Sequence, residues 1–328
     1  MRRAMAIGGL FATWILSGSA LADPYAATPG PRKVETFKAD WHDVTRNRDI
    51  PILICYPGDL GKDSEKLPVI VFSHGLGGSR EGYTAYGQHW ASYGYVVIFP
   101  QHHGSDTAVI GHGMYQMLMG KGDAQAFIDR VHDVHFVIDQ IEAMNAGKLD
   151  GKEYQPFQGT LDLSKIGMSG HSFGAITTEA VVGEKFLGDP DGKIVDHRIK
   201  AGIAMSGAGS KMLDQDTAFG SISIPVFYLT GTDDKMGLSK PADRRIAFDH
   251  SKSPDTFLVT FAGANHMTFS PRQSVIPQPQ KEKYQNWIRQ STTAFWDAYL
   301  KGDENARRWL TQDFPRELGN DGVFETKK

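Results

Sequence analysis

The chain has 328 residues, with 35 lysines and arginines against 38 acids and a formal net charge of −3 at neutral pH. That length can bury a sizeable core, in one large α/β domain or two smaller ones. The charge balance gives no basic excess for a nucleic-acid partner. The only cysteine, Cys55, rules out an internal disulfide.

In chain order, residues 1–22 read as an export signal. Arg2 and Arg3 supply the positive start, residues 4–16 are apolar, and Ala20-Leu21-Ala22 is an A-x-A cleavage site. The apolar run is short for a bilayer span. The expectation is a cleaved leader, a periplasmic or secreted protein without a stable membrane anchor, and one α/β domain over residues 23–328.

Residues 37–56 read as two strands around a turn at Arg46-Asn47-Arg48-Asp49, with Cys55 buried in the second. A buried strand follows at 67–73, a helix at 83–93 and a strand at 95–100. Residues 123–144 carry Phe127, Val131, Val134, Val137, Ile138 and Ile141 mostly on one helical face. Further strands are expected at 165–169, 201–205, 225–230 and 256–261, and helices at 175–184, 241–250 and 281–301. Short apolar strands alternating with helices predict a mostly parallel sheet covered on both faces.

Gly170-His171-Ser172-Phe173-Gly174 is a G-x-S-x-G sequence between a strand and a helix. The pentapeptide alone is a moderate signal in a chain with 36 glycines, since a match can arise by chance. Its setting gives it weight, because a sharp strand-to-helix turn exposes the serine hydroxyl. A free hydroxyl is a poor nucleophile and needs a base, an orienter and an oxyanion site.

Reactive groups in such sheets gather at the carboxyl ends of strands. After the strand at 225–230 come Asp233 and Asp234, and after the strand at 256–261 comes His266. The order Ser, Asp, His is that of one serine-hydrolase arrangement. Either aspartate can serve as the acid at this point, with His266 as the base of Ser172. The oxyanion donors are expected at the N–H of Phe173, at a helix start, and of Leu76, in the glycine-rich turn Ser73-His74-Gly75-Leu76-Gly77-Gly78. His74 reads as a histidine that pins this loop by a hydrogen bond.

Phe72-Ser73-His74-Gly75-Leu76-Gly77 together with Gly170-His171-Ser172-Phe173-Gly174 resembles the platelet-activating-factor acetylhydrolase-like and dienelactone-hydrolase-like branch of the α/β-hydrolases. So do residues 91–97 and Gln101-His102-His103-Gly104-Ser105-Asp106. The resemblance implies an α/β-hydrolase catalytic domain and cofactor-free, serine-dependent cleavage of esters. It also implies oxyanion donors at Leu76 and Phe173, and Asp234 rather than Asp233 as the acid. Dienelactone hydrolases proper carry a cysteine nucleophile where this chain has Ser172, which argues against dienelactones as substrates.

His102, His103 and Asp106 share a loop, but no further ligands recur at the spacing of a zinc site, so no metal is expected. The partly apolar loop 101–122, with Met114, Met117 and Met119, is expected to line the substrate site and favour short to medium acyl groups. Residues 208–223 are too few for a lid domain. The leading expectation is an exported serine carboxylesterase acting on a small-molecule or lipid-like ester. A lipid or polyester hydrolase of the same mechanism is the alternative within the class. A binding protein on a hydrolase scaffold is the alternative outside it.

Overall fold

The structure is a computed structural model and describes residues 25–62, 64–109, 124–187, 189, 192–209, 213–272 and 280–327. The leader read at residues 1–22 and the methionines Met114, Met117 and Met119 lie outside the described residues.

The strands are β1 (Val34–Asp43), β2 (Arg48–Pro57), β3 (Leu67–Ser73), β4 (Val96–Pro100), β5 (Leu161–His171), β6 (Ile199–Met205), β7 (Val226–Asp233), β8 (Thr256–Asn265) and β9 (Gly322–Thr326). The longer helices are α1 (Thr84–Ser92), α2 (Ala124–Asn145), α3 (Phe173–Val182) and α4 (Lys281–Trp296). All nine strands join one sheet in the order β1-β2-β4-β3-β5-β6-β7-β8-β9. Pairing is parallel from β4 through β3, β5, β6 and β7 to β8, and antiparallel at both edges.

Successive strand side chains point to opposite faces, so each central strand feeds two cores. Val69, Val71, Val96, Ile98, Val226 and Tyr228 pack under α2 and α3. Their neighbours Ile70, Phe72, Val97, Phe99, Phe227 and Leu229 face Tyr86 and Trp90 of α1 and Phe295 and Trp296 of α4. Every residue of β3 is buried. Each large apolar side chain removed from water contributes about 1.5–3 kcal/mol, which holds both helical layers to the sheet. This is the α/β-hydrolase architecture.

The sequence differs from the structure at its end. The helix expected over 281–301 is α-helical to Trp296 and loosens to a π-turn over Asp297–Lys301, stopped by Gly302 at φ 73°. Beyond it lie short helices at Glu304–Arg308 and Phe314–Leu318 and the edge strand β9. A five-residue strand carries too little period to stand out locally. It exists because Phe324 packs on Phe257 and Phe314. The helix expected over 241–250 is a 3₁₀ turn, Pro241–Arg245, followed by a short α-helix, Ile246–His250.

The topology leaves one opening. β3 and β5 are neighbours, but α1 follows β3 on one face and α3 follows β5 on the other. The two connections diverge at the carboxyl edge and leave a crevice there. Their closest approach is fixed by Gly174: a Cβ there would lie 1.9 Å from the Ser73 carbonyl oxygen. Gly174→Ala is expected to cost about 3 kcal/mol or more through this backbone clash. That is a fall of roughly 5 °C or more in Tm by thermal unfolding; an unchanged Tm would mean that the two turns do not meet as described.

Candidate active site

Ser172 stands between β5 and α3 at φ 58°, ψ −117°, a conformation rare for a residue with a Cβ. The turn tolerates it because its flanks are bare. A Cβ on Gly170 would lie 2.2 Å from the Gly174 carbonyl oxygen. The Ser172 N–H donates to Met205 O at 2.9 Å, and its carbonyl accepts from Ala175 and Ile176, so the backbone holds the strain in place.

The structure brings Ser172, His266 and Asp234 to one point. Ser172 Oγ lies 2.8 Å from His266 Nε2, and His266 Nδ1 lies 3.0 Å from Asp234 Oδ1. Asp234 is fully buried just past β7, whereas Asp233 is exposed on the strand end. His266 is nearly buried and opens a 3₁₀ turn after β8. With Nδ1–H directed at a carboxylate, Nε2 is the acceptor that faces the serine hydroxyl. An imidazole so placed is competent to take the serine proton.

Further groups orient the acid. Ser206 Oγ donates to Asp234 Oδ1 at 2.8 Å and lies 2.6 Å from His266 Nδ1. Thr230 Oγ1 donates to Oδ2 at 2.9 Å, and Arg244 Nε lies 3.3 Å from Oδ1. Burial opposes ionisation of Asp234. The His266 bond, the charges of Arg244 and His266 and the Ser206 hydroxyl outweigh it and hold the carboxyl below the usual range. Ser206 has φ 55°, a second non-glycine residue in the left-handed region beside the first. The strand-end rule that selected the other residues, applied to β6, also selects Ser206. No motif around Ser206 marks it in the sequence.

His171 supports the histidine from behind. Its Nε2–H donates to the His266 carbonyl at 2.9 Å, and its Nδ1 accepts from Tyr83 Oη–H at 2.7 Å. Burial first, and the neighbouring His266 second, pull its pKa well below the usual value and keep it neutral.

Phe173 follows the serine directly, and Leu76 stands in the turn after β3, across the crevice. Phe173 opens α3, where first-turn N–H groups have no helical acceptor. The turn around Leu76 is closed by Gly77 N–H to Ser105 O and by Gly78 N–H to Gly75 O, both 2.9 Å. Neither the Leu76 nor the Phe173 N–H has an acceptor among the described residues. The turn abuts the serine elbow, since a Cβ on Gly75 would lie 3.2 Å from His171 O.

His74 pins this turn. Its Nδ1–H donates to Gly75 O at 2.8 Å and its Nε2 accepts from the His102 N–H at 3.1 Å. Burial and the Arg130 charge push its pKa well down, so it is neutral. His102 belongs to the same interior. Its Nε2 lies 2.9 Å from Ser73 Oγ and its Nδ1 3.0 Å from Asp133 Oδ2. Ser73, His102 and Asp133 thus repeat the distances of the first constellation, but all are fully buried and Ser73 Oγ also takes a bond from Arg130. No substrate can reach this second set. His103 is bonded to Asp106 at 3.0 Å. Among the described residues no group of three histidine, cysteine or acidic side chains is gathered as metal ligands. Cys55 is buried, and burial pushes its thiol up to about 12. A cleft of about 590 Å³ near Val182, Ile199 and Ile224 opens at the amino ends of β6 and β7, away from Ser172.

The family model described as platelet-activating factor acetylhydrolase, isoform II, matches residues 53–117. That stretch contains the Leu76 turn and stops short of Ser172. Platelet-activating factor acetylhydrolase of Cavia porcellus is 24% identical over 278 residues, covering 76% of this chain and 61% of that protein. The enzyme of the same name from Canis lupus familiaris is 27% identical over 235 residues, covering 64% and 49%. That of Bos taurus is 25% identical over 193 residues, covering 51% and 40%. The chain therefore spans about three fifths or less of the length of these relatives. No helix among the described residues is long and apolar enough to cross a membrane.

The neutral buried histidines set a direction for stability. Burial holds His102 at about 4, below the 6.5 of a free imidazole, and His74 and His171 also lie well below it. The unfolded chain takes up these protons and the folded one does not. Their contribution is therefore full above about pH 6.5 and is lost as pH falls toward about 4. The urea midpoint should drop steadily between pH 7.5 and pH 4.5. A midpoint that is flat or rises on acidification would contradict the neutral assignment.

Proposed function

We propose that this chain, a platelet-activating factor acetylhydrolase-like α/β-hydrolase, cleaves carboxylic esters through Ser172, His266 and Asp234. The observation that carries the reading is the unbroken bond path from Ser172 Oγ through His266 to a buried carboxylate, at 2.8 and 3.0 Å. In this mechanism the Ser172 oxygen attacks the ester carbonyl and His266 Nε2 accepts its proton. The carbonyl electron pair moves onto oxygen, toward the Leu76 and Phe173 N–H groups. The bond to the alcohol then breaks, and His266 returns the proton to the departing oxygen. Water attacks the acyl-serine by the same path, releasing the acid and restoring Ser172. Asp234 keeps the imidazole in the required tautomer and stabilises its cation, and Ser206 and Arg244 orient Asp234. No metal or cofactor is needed for any step.

The relatives are platelet-activating factor acetylhydrolases, which supports an acetyl ester of a lipid-like alcohol as the substrate class. Short to medium acyl groups are the proposed range. The apolar leader pattern at residues 1–22 supports action outside the cytoplasm.

A fluorophosphonate should label one serine, Ser172, and Ser172→Ala should remove both label and turnover of short-chain nitrophenyl esters. Retained turnover in that variant would take the nucleophile away from Ser172, and a parent chain with neither label nor turnover would leave a binding role on this scaffold. Asp234→Asn should lower kcat by roughly 10⁴, and Asp233→Asn should leave it nearly unchanged; the reverse order would move the acid to Asp233. Ser206→Ala should lower kcat about tenfold, the loss of one hydrogen bond to a charged group. A parent-like kcat would remove Ser206 from the mechanism.

A further inference from the structure

One buried cation touches both sides of the crevice. Arg130 of α2 is fully excluded from solvent. Its Nη1 donates to the His74 carbonyl at 2.7 Å and to Ser73 Oγ at 3.0 Å, and its Nε donates to Ser105 Oγ at 2.8 Å. Its Cζ stands 4.4 Å from the centre of the Phe173 ring. No carboxylate lies within ion-pair distance of it among the described residues; its bonded acceptors are three neutral oxygens, and its Nη2 lies 3.2 Å from Nδ1 of the neutral His74. A buried guanidinium without a paired carboxylate is costly, and the structure places it where two loops meet.

The contacts have a common geometric consequence. Ser73 and His74 enter the turn that contains Leu76, and Ser105 holds the far side of that turn through Gly77 N–H at 2.9 Å. Arg130 bonds to both flanks. It also lies against the ring of Phe173, the residue after the nucleophile. A planar fork with several donors and an aromatic-stacking face suits this place, and a lysine ammonium does not.

We propose that Arg130 is the positioning residue of the oxyanion hole. Its guanidinium fixes the Leu76 turn and the Phe173 helix start relative to each other and adds positive potential beneath the developing oxyanion. The inference rests on the ester-hydrolase reading and extends it. A buried cation there is worth more than one in water, because the site excludes solvent.

The test uses the full chain with Arg130→Lys and Arg130→Met, and Ser172→Ala in the same assay. The readouts are kcat, KM and inhibition by a trifluoromethyl ketone, which forms a tetrahedral oxyanion on the serine. A misplaced hole should lower kcat roughly 100-fold in Arg130→Met. KM should stay within about twofold, and ketone affinity should fall by the same factor as kcat/KM. Arg130→Lys should lose roughly tenfold or more by the same measures, because it lacks the fork. Far-ultraviolet circular dichroism identifies folded variants, and where Arg130→Met does not fold, Arg130→Lys decides. A kcat within about threefold of the parent, or a lost kcat without matching loss of ketone affinity, overturns the proposal. If Ser172→Ala keeps its activity, the reading that places the nucleophile at Ser172 fails instead, whatever Arg130 does.

Discussion

The contact on which the site depends is between two backbones. The turn after β5 meets the end of β3 so closely that Gly174 has no room for a Cβ against the Ser73 carbonyl. This contact sets the distance between Ser172 and the Leu76 turn, and so whether one carbonyl can reach both. It arises from topology, because β3 and β5 pair while their following helices leave on opposite faces. Ser172 holds its unfavourable φ beside this contact, with the hydrogen bond from its N–H to Met205 O.

Around that contact the chain has built its polar interior. Two Ser-His-Asp sets lie at the carboxyl edge of the sheet with nearly equal distances. Their difference is access. Ser172 is half-buried at the crevice, and Ser73 is sealed beneath the Leu76 turn and already bonded to Arg130. The first set has the access that the proposed proton transfer requires. The second spends the same chemistry on holding a loop in one place. Distance alone does not separate a reactive constellation from a structural one; exposure and competing donors do.

The central frame was readable from residues because its signals are local: apolar strand runs, helical period, glycines at forced positions. The strand-end rule drew Ser172, His266 and Asp234 from separate parts of the chain, and the structure brings those side chains together. The same rule points to Ser206 at the end of β6, but a serine there has no motif around it to single it out. His171 and Arg130 were not legible for a different reason. Arg130 sits on an apolar helix face where a charge looks like a misfit, and its partners are 25 to 57 residues away. The C-terminal edge strand was missed because its stability comes from aromatic packing on β8, which five residues cannot announce.

The central claim is that an acyl group passes through Ser172. The most direct measurement is mass spectrometry of the protein quenched during turnover of a nitrophenyl acetate, with peptide mapping of the adduct. The account predicts a single acetyl group on the peptide that contains Ser172, lost with time in water. An acetyl group on Ser73, Ser206 or another residue would contradict it, as would turnover without any acylated protein under conditions where release of the alcohol shows a burst.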